Sequence, residues 1–382
     1  MTVYLDNAAT SYPKPQIVID ETMRCMRDYC GNPGRGSHSL SLAASEVVFS
    51  VREKLDRLFN GYGPEYCVFT LNTTYALNIA LKSLVDKGCH VLISDMEHNS
   101  VLRQVTSLER DHIITFDIFR TFGGNVDRLI KDLKTRINKK TSIIICQHVS
   151  NICGTVLPLE RIGKLCRSFG IKLIVDAAQS AGLYDIDIKK FSIDALCIPS
   201  HKSLYGPQGA GAVLYSGRIT DKIRTFVEGG SGSDSLNPYM PSLLPDRLEA
   251  GTLPTPSIAG WSQGIDYIMS NGISEMRRHE FELSNKLTLS LLNDNSFVVY
   301  EPNKCGNSVL FNVNGKSPDS VSNALNNAGI CTRAGFHCAP LAHKTLCTGN
   351  SGAIRSSFGI YNTKKDIDIL LDELNKIKKS VI

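Results

Sequence analysis

Short apolar runs recur along the first half of the chain, most of them separated by a stretch with helical spacing. They cover residues 66–70, 91–94, 113–116, 142–147, 172–175, 195–198 and 211–214. Ile143, Ile144 and Ile145 stand in a row without polar alternation, the pattern of a strand covered on both faces. Among the intervening stretches, 41–59 places Val47, Val51, Leu55 and Leu58 on one stripe, and 74–85, 125–137 and 159–169 are also amphipathic. Strand and helix alternating in this way predict an α/β fold with a large, mostly parallel, doubly wound sheet.

From about Glu228 the texture changes. Residues 228–256 are rich in Gly, Ser and Pro and read as a long connection, a kind of segment that usually carries function. Helical patterns follow at 257–270 and 274–292, short strands at 297–300, 308–312 and 331–333, and a last helix at 364–380. The expected organisation is a large α/β domain over 1–256 and a smaller α+β domain over 257–382, with the N-terminal segment able to pack on the smaller one. A chain of 382 residues has the length for two or three packed units.

Composition narrows the function. The 42% hydrophobic and 21% charged residues are ordinary for a globular protein and argue against disorder. The net charge of +5 is mild, and no dense basic stripe with interleaved aromatics occurs, so nucleic acid is not the expected partner. No apolar run approaches the length of a membrane span. The 12 cysteines include Cys305 and form no CxxC pair, which argues against a structural metal site. With no signal-sequence pattern at the start, free thiols and a cytoplasmic location are expected.

Four segments carry candidate chemistry. KLIVDAAQSAG (172–182) delivers Asp176 to the end of a strand, where ligands bind in parallel sheets. Alone, such an aspartate more often caps the next helix. PSHKSLYGPQGAG (199–211) places Lys202 at another strand end beside a Gly-rich turn. A lysine there can carry an aldehyde cofactor as an imine, or can be an ordinary loop lysine. Asp176 and Lys202 end strands expected to be separated by one helical crossover, so both can face one site. TLNTTYALN (70–78) passes from strand to helix through Asn72, Thr73 and Thr74, a phosphate cradle or a plain N-cap. MEHNS (96–100) brings His98 to the same edge, either to stack on a ring or as a buried structural histidine.

These segments, with YLDNAAT (4–10), NPGRGSHSLS (32–41), QHVSNICGT (147–155), EAGTLPTP (249–256), RAGFHCAP (333–340) and IRSSFGIYNT (354–363), resemble the class V, fold-type I enzymes that use pyridoxal phosphate. Within them the chain is most similar to the cysteine desulfurases of the SufS-like and selenocysteine lyase group. The resemblance implies that Lys202 bears the cofactor, Asp176 holds the ring nitrogen's proton, Gln179 meets the ring hydroxyl and His98 stacks on the ring. It implies that Thr73, Thr74, Ser200 and His201 serve the phosphate, and that Thr252 reaches the phosphate of a partner subunit in a homodimer with shared sites. Arg355 would clamp the substrate carboxylate, with Asn151 and Arg333 beside it and Asn151 also near the cofactor. Cys338 would accept the sulfur of L-cysteine as a persulfide, releasing L-alanine and then serving a sulfur-acceptor protein. His337, Arg333 and His343 flank Cys338 and could lower its pKa. Cys331 and Cys347 could resolve a persulfide or be structural.

Cys338 precedes Arg355 by only 17 positions, as in the group with a short cysteine loop, so a docking acceptor or reductant is expected to be needed for efficient delivery. Three features depart from the family pattern: Ser203 inserted after Lys202, Tyr75 after the paired threonines, and a long 229–247 segment. Selenocysteine lyase, with L-selenocysteine as substrate, requires the same residues. An aminotransferase of this fold would have no use for Cys338, and a non-catalytic sulfur carrier would have none for Lys202 and Asp176.

Overall fold

The computed structural model describes residues 2–34, 36–301 and 306–379. Arg35 and Cys305, and Ser380 at the end of the last expected helix, lie outside them. In chain order the elements are β1 (Val3–Tyr4), α1 (Gln16–Asp28), α2 (Ser39–Phe59), β2 (Cys67–Thr70), α3 (Thr73–Leu84), β3 (Cys89–Ser94), α4 (Asn99–Arg110), β4 (Ile114–Phe119), α5 (Val126–Arg136), β5 (Thr141–Gln147), α6 (Leu159–Phe169), β6 (Lys172–Asp176), β7 (Ala195–Pro199) and β8 (Gly211–Tyr215). After a long irregular connection come α7 (Thr255–Asn271), α8 (Ile273–Leu292), β9 (Phe297–Tyr300), β10 (Ser308–Val313), α9 (Pro318–Asn327), β11 (Ile330–Cys331), β12 (Arg333–Gly335), α10 (Pro340–Thr345), β13 (Ala353–Ser357) and α11 (Lys364–Lys379).

Seven strands form the large sheet in the order β2-β8-β7-β6-β5-β3-β4. The pairs β3–β4, β3–β5, β5–β6 and β6–β7 are parallel, while β8 runs antiparallel to both β7 and β2. The apolar run of β5 is used on both faces. Ile144 joins a core with α2, α6 and α7, whereas Ile143 and Ile145 join the opposite core with α3 and α4. Both layers are therefore dry, as in a doubly wound α/β fold. One expected detail differs: the connection between β6 and β7 is a succession of turns, not a helix. The strands are still parallel neighbours, with Asp176 paired to Cys197, so Asp176 and Lys202 emerge side by side.

A second sheet, β12-β13-β10-β9, packs with α8, α9 and α11 around Leu283, Phe311, Ile354 and Leu370. The N-terminal segment belongs to this core: Val3 and Leu5 are buried in it, and β1 pairs with β11. Helix α7 instead buries Ile258, Trp261 and Ile265 on the large sheet's core. Ser203 is accommodated by a glycine. A Cβ on Gly182 would lie 2.3 Å from the Ser203 carbonyl oxygen, so the two backbones touch. Among the described residues, no helix is long and apolar enough to cross a membrane, and every described cysteine is a free thiol.

Candidate active site

The carboxyl ends of β2, β3, β5, β6 and β7 all open at one edge of the large sheet, and the chain leaving each contributes to a single cavity. It is lined by Thr73 and Thr74 after β2, His98 after β3, Asn151 after β5, Asp176 and Gln179 at and after β6, and His201 and Lys202 after β7. This is the ligand edge of open α/β sheets. Asn72 caps α3 by accepting from the Tyr75 amide, which leaves the start of the helix turned to the cavity with the Thr74 hydroxyl beside it.

The charged groups here are strained by burial. Asp176 accepts from the Ala178 amide at 2.9 Å, yet desolvation raises its pKa, opposed by that bond and by Lys202. Lys202 keeps some exposure through the cavity, but the surrounding protein desolvates its ammonium and lowers its pKa to about 8. Asp176 opposes that fall; Arg355 and Arg333 add to it. Burial thus pushes both members of the pair towards neutrality, and a cation against Asp176 is what restores its charge.

His98 caps α4 by accepting from the Ser100 amide at Nδ1, 3.0 Å away. Because an amide only donates, Nδ1 carries no proton and Nε2 does. Desolvation, reinforced by Lys202, Arg333, Arg103 and Arg355, lowers its pKa to about 4, so the ring is neutral. His201 is likewise held down to about 4, chiefly by burial. Gln179 donates to the Ala8 carbonyl at 2.9 Å, tying the N-terminal segment to the cavity wall.

Arg355 on β13 is buried. One guanidinium nitrogen pairs with Asp6, and another donates to the Asn151 carbonyl at 2.8 Å. Its Nε has no partner, nor has Oδ1 of Asn151, among the described residues. Buried polar atoms left unpaired are costly; Asn151 lines the cavity, and Arg355 stands behind it. The Asn151 amide group donates to the His337 carbonyl at 2.9 Å and so links the cavity to the Cys338 loop.

Cys338 is exposed and sits in a tight turn. The Ala339 amide donates to the Phe336 carbonyl at 2.8 Å, and His337 and Cys338 between them have φ of 48° and 56°. Both non-glycine residues are left-handed, as in a type I′ turn, which stores strain. The turn is pinned to the start of α4, where the Asn99 amide donates to the Cys338 carbonyl at 2.7 Å. Cys338 borders two grooves along α4. One of them shares Thr74, His98 and Ser100 with the cavity.

The two histidines beside Cys338 form a chain of fixed polarity. His337 Nε2 lies 3.0 Å from the Arg333 carbonyl, which only accepts, so Nε2 bears the proton. His337 Nδ1 must then accept from His343 Nε2 at 3.1 Å, and His343 Nδ1 accepts from the Thr348 hydroxyl at 2.8 Å. Burial lowers His337 to about 3 and His343 to about 4. Both rings are held neutral at pH 7, and their nitrogens are engaged by each other, the Arg333 carbonyl and the Thr348 hydroxyl, so the chain braces the Cys338 turn.

Other expected site residues lie elsewhere. Ser200 does not line the cavity; its buried hydroxyl donates to the Pro207 and Ala210 carbonyls, closing the Gly-rich turn after Lys202. Thr252 is exposed and outside its own chain's cavity. The loop bearing it is anchored by a buried pair, Arg52–Glu249 at 2.6 Å. Arg333 lines the outer groove with Cys338, not the cavity. Sequence reasoning missed the Asp6–Arg355 pair, Gln147 and Ser100 in the cavity wall, and Lys14. The Lys14 ammonium donates to the His201 carbonyl at 2.7 Å, and burial lowers its pKa to about 7. The motifs that contain Asp6, Gln147 and Ser100 were the available signal.

Comparison with known proteins agrees with this arrangement. The model of the family "Aminotransferase class-V" matches residues 3–370. A protein of Halalkalibacterium halodurans named "Probable cysteine desulfurase" is 32% identical over 386 residues, 99% of this chain and 93% of that one. One of the same name from Methanothermobacter thermautotrophicus is 31% identical, with 98% and 94% covered. The apo structure of a cysteine desulfurase from Thermococcus onnurineus superposes with a TM-score of 0.91 at 29% identity, covering 100% of this chain and 95% of that one. The chain therefore belongs to the class-V aminotransferase family and, within it, to the cysteine desulfurases.

Proposed function

We propose that this protein binds pyridoxal phosphate at Lys202 and removes sulfur from L-cysteine, yielding L-alanine and a persulfide on Cys338. The observation that carries the reading is the shared wall: the exposed Cys338 borders a groove that has Thr74, His98 and Ser100 in common with the cavity holding Lys202 and Asp176. The cavity's residues fit the cofactor group by group. A lysine amine suits an aldehyde, the buried Asp176 needs a cation such as a protonated ring nitrogen, and the start of α3 with Thr73 and Thr74 suits a phosphate. Gln179, His98, His201 and Asn151 complete the wall.

When bound, the cofactor supplies an electron sink that acidifies the substrate's Cα–H. Lys202, with its pKa brought down to about 8, is suited to take and return that proton near neutral pH. Arg355 Nε, which has no partner among the described residues, would serve as a donor to the substrate's carboxylate. Cys338 attacks as thiolate: the Sγ–S bond forms, the substrate's Cβ–S bond breaks, and the carbon fragment takes up a proton to become alanine.

We read the assembly as a homodimer in which Thr252 reaches the partner's phosphate site. Helix α1 supports this by exposing Ile19, Met23 and Met26 along one stripe, a surface that a second copy would cover. We read the chain as two units, 1–256 and 257–382, with α7 reaching back onto the first, and we place the protein in the cytoplasm.

The test uses purified protein with L-cysteine or L-selenocysteine, measuring alanine and released sulfide or selenide, with and without a thiol reductant. Cys338→Ala should abolish alanine formation from cysteine. Undiminished turnover of cysteine by that variant would overturn the reading. Turnover by it of selenocysteine alone would leave selenocysteine lyase as a second activity of the same site.

A further inference from the structure

A cavity of about 620 Å³ opens where the end of β4, helix α5 and helix α10 meet. It shares no lining residue with the active-site cavity or with either groove at Cys338, and its size is that of a small-molecule site. Four cations line it from three directions: Arg120 just after β4, Arg128 and Arg136 on α5, and Lys344 on α10. The side chains of Arg120, Arg128 and Lys344 form no ion pair among the described residues. Arg136 pairs with Asp132 at 2.8 Å, and the Arg120 amide donates to the same carboxylate at 2.9 Å, which brings those two residues to one end. At the other end the Arg128 guanidinium lies over the Phe122 ring, 4.3 Å from its centre. The one carboxylate in the lining, Asp95, is already engaged: it accepts from the Thr121 amide at 3.1 Å and from the Thr121 hydroxyl at 2.7 Å. Like charges gathered in this way repel one another, and an anion is the complement that the lining lacks.

We propose that this cavity binds a polyphosphate chain, free or carried by a nucleoside, and that the bound chain clamps α10 to the large sheet. Guanidinium groups match phosphate oxygens two at a time. Arg128 and Arg136 are eight residues apart on α5, about 12 Å along its axis, so a row of phosphates suits the lining better than a single one. The Arg128–Phe122 stack offers a planar surface at one end, against which a nucleoside base would pack. Lys344 and Thr345 come from α10, the helix that carries His343 of the chain bracing the Cys338 turn. A polar link already present between α10 and the sheet, from the Thr345 hydroxyl to Asp95, is long at 3.4 Å. A polyanion held between Lys344 and Arg120 strengthens that link and reaches the Cys338 turn through His343 without touching it.

The test uses protein saturated with pyridoxal phosphate, so that the phosphate cradle at the start of α3 is filled. Inorganic triphosphate, ATP and inorganic phosphate are titrated at low salt by calorimetry, and hydrogen–deuterium exchange locates the site. Triphosphate should bind at least tenfold tighter than phosphate, lose affinity as salt rises, and slow exchange in both 118–136 and 340–348. Tighter binding of ATP than of triphosphate identifies a nucleoside triphosphate as the ligand, and equal or weaker binding identifies the bare chain. Replacing the exposed Arg120→Gln together with Arg128→Gln should weaken triphosphate at least tenfold. Lys344→Gln should remove the protection of 340–348 and leave that of 118–136. Phosphate bound as tightly as triphosphate, an affinity unchanged in the double variant, or protection confined to other segments would overturn the proposal. Protection of 118–136 alone in the wild-type protein would overturn the clamp.

Discussion

Replacing His343 with leucine tests whether the two-imidazole chain holds the acceptor thiol in place. The leucine keeps much of the volume and removes the one donor to His337 Nδ1 among the described residues. A buried acceptor left unpaired costs about 1–3 kcal/mol. The turn it supports already carries strain at His337 and Cys338, of order 1–3 kcal/mol for each left-handed residue. The remaining restraints are the bonds from Ala339 to Phe336, Asn99 to Cys338, Asn151 to His337 and His337 to Arg333. Losing about 1.4 kcal/mol from this set lowers the occupancy of the strained turn roughly tenfold if a relaxed alternative is close in energy. The assay is alanine formation in a single turnover with saturating cysteine, with the mass of the Cys338 persulfide measured alongside. The expected result is a tenfold slower sulfur capture with an unchanged cofactor absorption band and an unchanged KM. His343→Gln, which retains a donor, should recover most of the rate. Equal rates for wild type, leucine and glutamine variants would show that the imidazole chain does not position the thiol.

Other outcomes follow from the buried charges. Uptake of pyridoxal phosphate by apoprotein needs a neutral Lys202 amine, so its rate should rise with pH and level off above about 8; a plateau delayed beyond pH 10 would contradict the desolvation of Lys202. Burial raises the Glu280 pKa to about 8, so its contribution is full below the ordinary carboxylate range and is lost as pH rises through 8. Glu280→Gln, which can keep the bond from Asn307 (2.7 Å in the native side chain), should raise Tm above pH 8 and leave it unchanged near pH 4. Arg355→Lys should raise KM for cysteine at least tenfold, since a single ammonium nitrogen lacks the spread by which separate guanidinium nitrogens reach Asp6 and the Asn151 carbonyl and leave a third for a substrate carboxylate.

Much of the large sheet could be read from the chain because β5, β6 and β7 are apolar on both faces, a pattern few other structures leave. Direction could not be read: nothing in Gly211–Tyr215 distinguishes an antiparallel strand from its parallel neighbours. Helix α1 was missed because its pattern is inverted, with Ile19, Met23 and Met26 exposed and only Val18 and Cys25 fully inside. Helix α9, PDSVSNALNN, has weak intrinsic propensity. It is held by the Ser317 cap, Pro318 in its first turn and the buried Val321 and Leu325. In the site, strand-end residues such as Asp176 and Lys202 were legible because topology alone brings them to one edge. The Asp6–Arg355 pair spans 349 positions, and the His337–His343 polarity depends on which carbonyl each ring meets, so neither leaves a local trace.

The bond from Asn99 to Cys338 ties the thiol to the helix start that presents His98. A sulfur atom on that thiol stays at the protein's doorstep and travels no further with the loop, so collection falls to whatever visits. Giving this enzyme a longer reach would take added residues between Gly335 and Pro340, since no exchange of one side chain for another lengthens a tether fastened at both ends.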